Sequence, residues 1–379
     1  MDASNHPKFR ADHVGSLLRP DEVTQARATT LIGGEFASAD LAPVEDAAIA
    51  DAVSKQQELG LPVVTDGEFR RSFWHYDFMN SLSGMEVTAR DDRMGVQFAT
   101  STLRPYFPAI TERIDFPDDH PMLDHFRYLA SVTDSAAALP KISIPGPSAC
   151  HFRTAADDIA PPEYDDVQVL YDDLSAAYAK AVAAFYDAGC RYLQLDDIFF
   201  AYLCDENQRE GKRSEGFDPD QLIVDYADML ERAIADRPAD MTIGMHLCRG
   251  NFRSTWAAEG SYDAVADAIF NRTSVDVYYM EYDTDRAGGL EPLRLLPAGD
   301  KRVMVGFITT KTAELEPIDE LRRRFDDASQ YVDIDQLGIA PQCGFASTEE
   351  GNEITHADQW SKLGLVVATA EAIWGSVRD

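Results

Sequence analysis

The chain has 379 residues, enough for a large buried core, and 66 acidic against 34 basic side chains give it a formal charge of −32. A surface that negative repels nucleic acid and anionic membranes, so small molecules are the partners to look for. The opening "MDASNHPKFRADH" lacks the apolar stretch of a secretory signal and no run approaches a membrane span, which makes a cytoplasmic protein the expectation.

In chain order, short apolar runs rich in β-branched or aromatic residues predict strands at 9–16, 62–68, 141–147, 192–197, 241–248, 275–283, 302–309 and 336–344. Helical periodicity predicts helices near 45–59, 163–189, 219–236, 261–270, 316–330 and 357–376, the second closing on Gly189 where a C′ glycine belongs. Length alone would allow two domains, but α/β barrels often exceed about 250 residues as one unit. Eight β/α alternations, with no repeat or linker, predict an α/β fold: a single (β/α)8 TIM barrel over 1–379, with an excursion inserted near 83–135. Within that insertion the alternating "VQFATSTLRPYF" reads as a hairpin. A doubly wound open sheet is the structural alternative.

Barrel active sites lie at the C-terminal ends of the strands. Here those ends read Ser16, Asp66 and Glu68, Gly146 and Pro147, Asp196 and Asp197, His246 and Cys248, Glu281 and Asp283, Lys311 and Cys343. His246 and Cys248 are two apart on a strand and share a face. With Glu281 and Cys343 they make a donor set suited to tetrahedral Zn²⁺, although the heptapeptide "MHLCRGN" by itself favours a buried histidine beside an inert thiol. Five widely spaced cysteines, an odd number, do not form a disulfide framework and leave reduced thiols available.

Taken in order, "HVGS", "TDGEFRR", "LQLDD", "HLCRGN", "YYMEYD" and "APQCGF" resemble the catalytic barrel of cobalamin-independent methionine synthase, from about residue 9 to 376, in a short single-barrel form. The resemblance implies a zinc held by His246, Cys248, Glu281 and Cys343, with homocysteine bound to it through sulfur. It assigns Glu68 and Asp196 to the substrate ammonium, Ser16 and the "HVGS" backbone to the substrate carboxylate, and Gly146 and Pro147 to a folate-side loop. Asp196 and Lys311 are the candidates for the catalytic step, Lys311 standing where longer synthases place a proton-handling histidine. Asp197 departs from the glutamate often found there, and Arg153 replaces an aromatic expected to stack on the pterin.

The implied reaction is methyl transfer to homocysteine, giving methionine. Without the second barrel of the long synthases, the expected donor is 5-methyltetrahydrofolate with a short glutamate tail, with Arg70, Arg71 and Arg153 as an offsetting basic patch. A methylcorrinoid presented by a partner protein is the alternative donor, and an epoxyalkane:coenzyme M transferase-like enzyme the alternative chemistry. A metal-storage barrel would not need Glu68 and Asp196, and a uroporphyrinogen-type decarboxylase would not need the ligand set. The sequence leaves open the oligomeric state and the roles of Arg249, Asn251 and Arg253.

Overall fold

The computed structural model describes residues 9–31, 36–90 and 92–379. Its strands are β1 (Val63–Val64), β2 (Ser83–Ala89), β3 (Tyr106–Asp115), β4 (Leu139–Pro140), β5 (Ile142–Pro145), β6 (Tyr192–Asp196), β7 (Thr242–Leu247), β8 (Val277–Glu281), β9 (Arg302–Ile308) and β10 (Leu337–Pro341). The last six form one parallel sheet in sequence order, as strands joined by crossover helices must.

Both edges of that sheet are extended toward each other. β1 pairs with β4, and Lys141 N donates to Val64 O (2.9 Å), which sets β1 beside β5. At the far edge Ala11 bridges to Ile339 of β10, with Ile339 N donating to Arg10 O at 2.8 Å. The first segment then meets β1: Leu17 N donates to Gly67 O (3.0 Å) and Thr65 Oγ1 to Gly15 O (2.7 Å). The result is the α/β barrel expected from the sequence. Its first two predicted strands are reduced to the Ala11 bridge and the two residues of β1.

Period-two alternation fills the ring in layers. In the bottom layer Lys141 Nζ donates to Asp12 Oδ1 (2.9 Å) and to the Tyr279 hydroxyl (2.8 Å), which lies 2.6 Å from that of Tyr192. Two residues up β6, Gln194 Nε2 donates to Val14 O (2.8 Å) and to Asp196 Oδ1 (2.7 Å). Asp196, two further on, heads the third layer at the C-terminal mouth. A charged pair sealed at the bottom and a hydrogen-bonded amide above it leave the mouth as the open end.

The crossover helices cover the outside, including Ala42–Glu58, Val167–Asp187, Pro219–Ile234, Ile318–Ala328 and His356–Trp374, close to their predicted spans. The excursion is narrower than expected. Pro121–Val132 is a crossover helix packed beside Ala42–Glu58 and Val167–Asp187, so the insertion proper ends with β3. Its hairpin is also displaced: antiparallel β2 and β3 form it, and of "VQFATSTLRPYF" only Tyr106 and Phe107 lie in β3, the rest forming the tip with one bridge, Gln97 to Thr102. Met85, Val87, Ile110 and Ile114 supply the buried faces of the true strands. Among the described residues no helix is long and apolar enough to cross a membrane.

Candidate metal and substrate site

At the mouth, the shared face of His246 and Cys248 meets Cys343 from the loop after β10, and their ligand atoms all lie within 4.8 Å of one another. The two sulfurs are 3.2 Å apart. His246 Nδ1 lies 3.2 Å from Asp196 Oδ1, and its Nε2 is buried without a hydrogen-bond partner among the described residues. A carboxylate on one ring nitrogen and no partner on the other is the arrangement of a histidine that can ligate a metal once deprotonated. Imidazole and two sulfurs are also a donor set that zinc accepts, so these residues could hold such an ion.

Burial would raise the Cys343 thiol, yet the Cys248 thiol at 3.2 Å and the charge of the neighbouring His246 bring it down to about 5. Burial would lower His246, but Asp196 and Cys343 hold it at about 10. Cys248 is pushed well up, first by burial and then by the Cys343 thiolate. Near neutral pH the site is therefore an imidazolium and a thiol arranged around one thiolate.

Glu281 does not join this group. Its Oε1 accepts from Arg249 N (2.9 Å) and its Oε2 from Arg286 Nη2 (2.7 Å). Burial would raise its carboxyl, but Lys311, Arg286 and Arg249 bring it down to about 2. Lys311 is buried beside it, with no hydrogen-bond partner for its Nζ among the described residues. Arg249 stacks on the Tyr262 ring (3.9 Å), and Tyr262 in turn accepts from Glu281 N (2.9 Å), so Arg249 braces the end of β8.

Ser16, Glu68 and Asp196 line the same pocket as His246, Cys248 and Cys343, open at the mouth. Glu68 stands at φ 61° directly after Gly67 at φ 66°, a left-handed pair that aims its carboxylate inward. Such a conformation costs energy in a residue with a Cβ and marks a constrained position. Its Oε1 accepts from Ser143 Oγ (3.1 Å), while its Oε2 has no partner among the described residues. Burial raises this carboxyl to about 7 against the pull of Arg71. Ser16 Oγ accepts from Ala346 N (3.3 Å), and a Cβ on Gly344 would come within 1.9 Å of that oxygen; only glycine lets the two loops meet.

Other expected residues fall elsewhere. Asp197 turns beneath the helix Ser148–Arg153, accepts from Ser148 and lies outside the pocket. The basic patch does not form: Arg70 pairs with Glu45 (3.3 Å) and Asp46, and Arg71 donates to Ser143 O (2.6 Å), leaving Arg153 in the pocket wall. Asn251 lines the pocket and ties the loop after β7 to Gly344 O (3.0 Å), whereas Arg253 pairs with Glu353 at the surface. Trp74, His75 and Tyr202, with Phe98 and Leu103 from the excursion tip, complete the wall and were not foreseen. The aromatic run "FWHYDF" directly after "TDGEFRRS" was the available signal.

The family model described as the catalytic domain of cobalamin-independent synthase matches residues 9–371. The chain is 46% identical over 369 residues to the uncharacterized protein YxjG of Bacillus subtilis, covering 97% of this chain and 95% of that one. It is 26% identical over 299 residues to the methionine synthase of Methanothermobacter thermautotrophicus, covering 78% and 82% of the two chains. The crystal structure of a putative vitamin-B12 independent methionine synthase from Listeria monocytogenes superposes with a TM-score of 0.76 at 37% identity, covering 98% of this chain and 99% of that one. The chain belongs to the cobalamin-independent methionine synthase family, whose catalytic domain it carries.

Proposed function

We propose that this chain is a zinc-dependent thiol S-methyltransferase that makes methionine from homocysteine with 5-methyltetrahydrofolate as donor, acting in the cytoplasm. The observation that carries this reading is the convergence of His246, Cys248 and Cys343 on the wall of a pocket that Ser16, Glu68 and Asp196 also line. Zinc, when bound there, supplies Lewis acidity that keeps a substrate thiol deprotonated and nucleophilic at neutral pH. His246, Cys248 and Cys343 would hold it, with Glu281 as fourth ligand once released from Arg286.

The protein's own residues do the rest. Asp196 fixes the His246 ring so that Nε2 faces the thiols. Glu68 and Asp196 receive the substrate ammonium, and the left-handed turn at Glu68 holds its free oxygen ready for it. Ser16, where the loops after the first and last strands meet, receives the carboxylate. Lys311 keeps Glu281 ionised and is placed to handle a proton near the reacting centre.

A site with buried acids facing a cation rejects an analogue that leaves them unpaired. Homocysteine should therefore bind well ahead of coenzyme M, which lacks an ammonium. The test is metal content together with methionine formation from homocysteine and each donor in turn. About one zinc per chain is expected, mostly lost in Cys343→Ser and His246→Ala. Full zinc in both variants, or methionine formation from methylcobalamin alone, would overturn the corresponding part of the reading.

A further inference from the structure

His75 lines the pocket at 1% exposure, yet neither of its ring nitrogens has a hydrogen-bond partner among the described residues. Its ring is clamped between Trp74 (centroids 4.2 Å apart, 15° between planes) and Tyr76 (3.8 Å, 26°). A buried imidazole with both nitrogens unpaired is costly, and packing alone does not call for one. Burial, reinforced by the charge of Arg153, holds His75 well below the ordinary histidine range, so the ring is neutral and offers one donor and one acceptor.

Its surroundings narrow the ligand. The homocysteine-type groups Ser16, Glu68 and Asp196 are already matched to an ammonium and a carboxylate, whereas His75 is electrostatically coupled to Arg153. Arg153 lies over the Phe199 and Tyr202 rings (5.2 and 5.7 Å) and is a wall shared with a second, outer groove that Lys212 also lines. A ligand long enough to reach out would meet the Arg153 guanidinium first and then a groove of mixed charge, where Lys212 is paired with Glu215 (2.7 Å). That combination suits a planar heterocycle with donors and acceptors on its edge and an anionic tail. A corrinoid presented from outside would leave the imidazole unpaired.

We propose that His75 is a donor-contacting, specificity-determining residue, which hydrogen-bonds the polar edge of the pterin-type ring of the methyl donor. The inference rests on the methyltransferase reading above.

The test is calorimetric binding of 5-methyltetrahydrofolate and of homocysteine to the zinc-loaded protein, wild type against His75→Phe and His75→Gln. Phenylalanine keeps the ring stack and removes both nitrogens; glutamine restores one donor and one acceptor. His75→Phe should bind the donor at least about tenfold more weakly, with homocysteine affinity within about twofold and zinc unchanged, and His75→Gln should recover part of the loss. Unchanged donor affinity in His75→Phe, a loss confined to homocysteine, or a wild type that binds no folate would each overturn the inference. Should His75→Phe fail to retain zinc, His75→Gln decides: donor affinity several-fold below wild type supports the proposal, and equal affinity overturns it. Absence of methionine formation with every donor would count against the methyltransferase reading instead, since the binding comparison does not depend on turnover.

Discussion

Glu68 combines a left-handed backbone with a carboxyl held near 7, and both have a consequence that can be measured. The folded chain keeps a proton on Glu68 that the unfolded chain has already lost above the ordinary glutamate value of 4.5. This group's contribution to stability is therefore full below about 4.5 and is lost as pH rises through about 7. An arriving ammonium reverses the preference and ionises the carboxyl. At pH 6, homocysteine binding to the zinc-loaded protein should release up to about one proton more in wild type than in Glu68→Gln, the thiol proton leaving in both, seen as a difference in how the binding heat depends on buffer ionisation enthalpy. The neighbouring cluster gives a second proton count. Because His246 and Cys248 are protonated and Cys343 is not, zinc loading at pH 7 should release about two protons per ion, measurable with an indicator in weak buffer. Cys248→Ser should reduce that to about one.

At the scale of elements, the strands were legible because period-two alternation and ligand-type ends survive in the local sequence. His246 and Cys248 could be paired by spacing, and Cys343 by its place after the last strand. The loops were not legible in the same way. "FWHYDF" has the composition of core, and that His75 and Trp74 turn toward the pocket depends on the strained turn at Gly67 and Glu68 before them. "VQFATSTLRPYF" alternates like a strand but is held as a tip by tertiary contacts: Phe98 packs on Phe252 (5.4 Å) and Ala99 N donates to Trp256 O (2.8 Å). Arg70 and Arg71 look alike in sequence, yet the acids on Ala42–Glu58 claim one and a strand carbonyl the other. Because the tip covers the pocket without belonging to the barrel, replacing 97–102 by a short glycine-serine turn, with Val96 and the buried Leu103 kept, should change the melting temperature little. Substrate affinity should fall by about tenfold or more through lost desolvation, as calorimetry would report.

For the molecule as a whole, the charge of −32 acts on every anionic ligand that approaches the mouth. The Debye length is about 10 Å at 0.1 M salt, so screening should ease the approach of a folate carboxylate. The KM for 5-methyltetrahydrofolate should fall as salt rises from about 10 to 150 mM, while that for zwitterionic homocysteine should change much less.

Cys248 and Cys343 are 95 residues apart in the chain, and the loop that carries Cys343 meets Ser16 only where the last strand lies beside the first segment. Contacts of such long range form late, because their loop-closure entropy is met only once the intervening units have docked. A zinc ion at this site would consequently be a passenger on a finished vessel and no part of its keel. Refolding in the presence of a strong chelator should regain the native helical signal at the same rate as without it, and activity should return only when zinc is added afterwards.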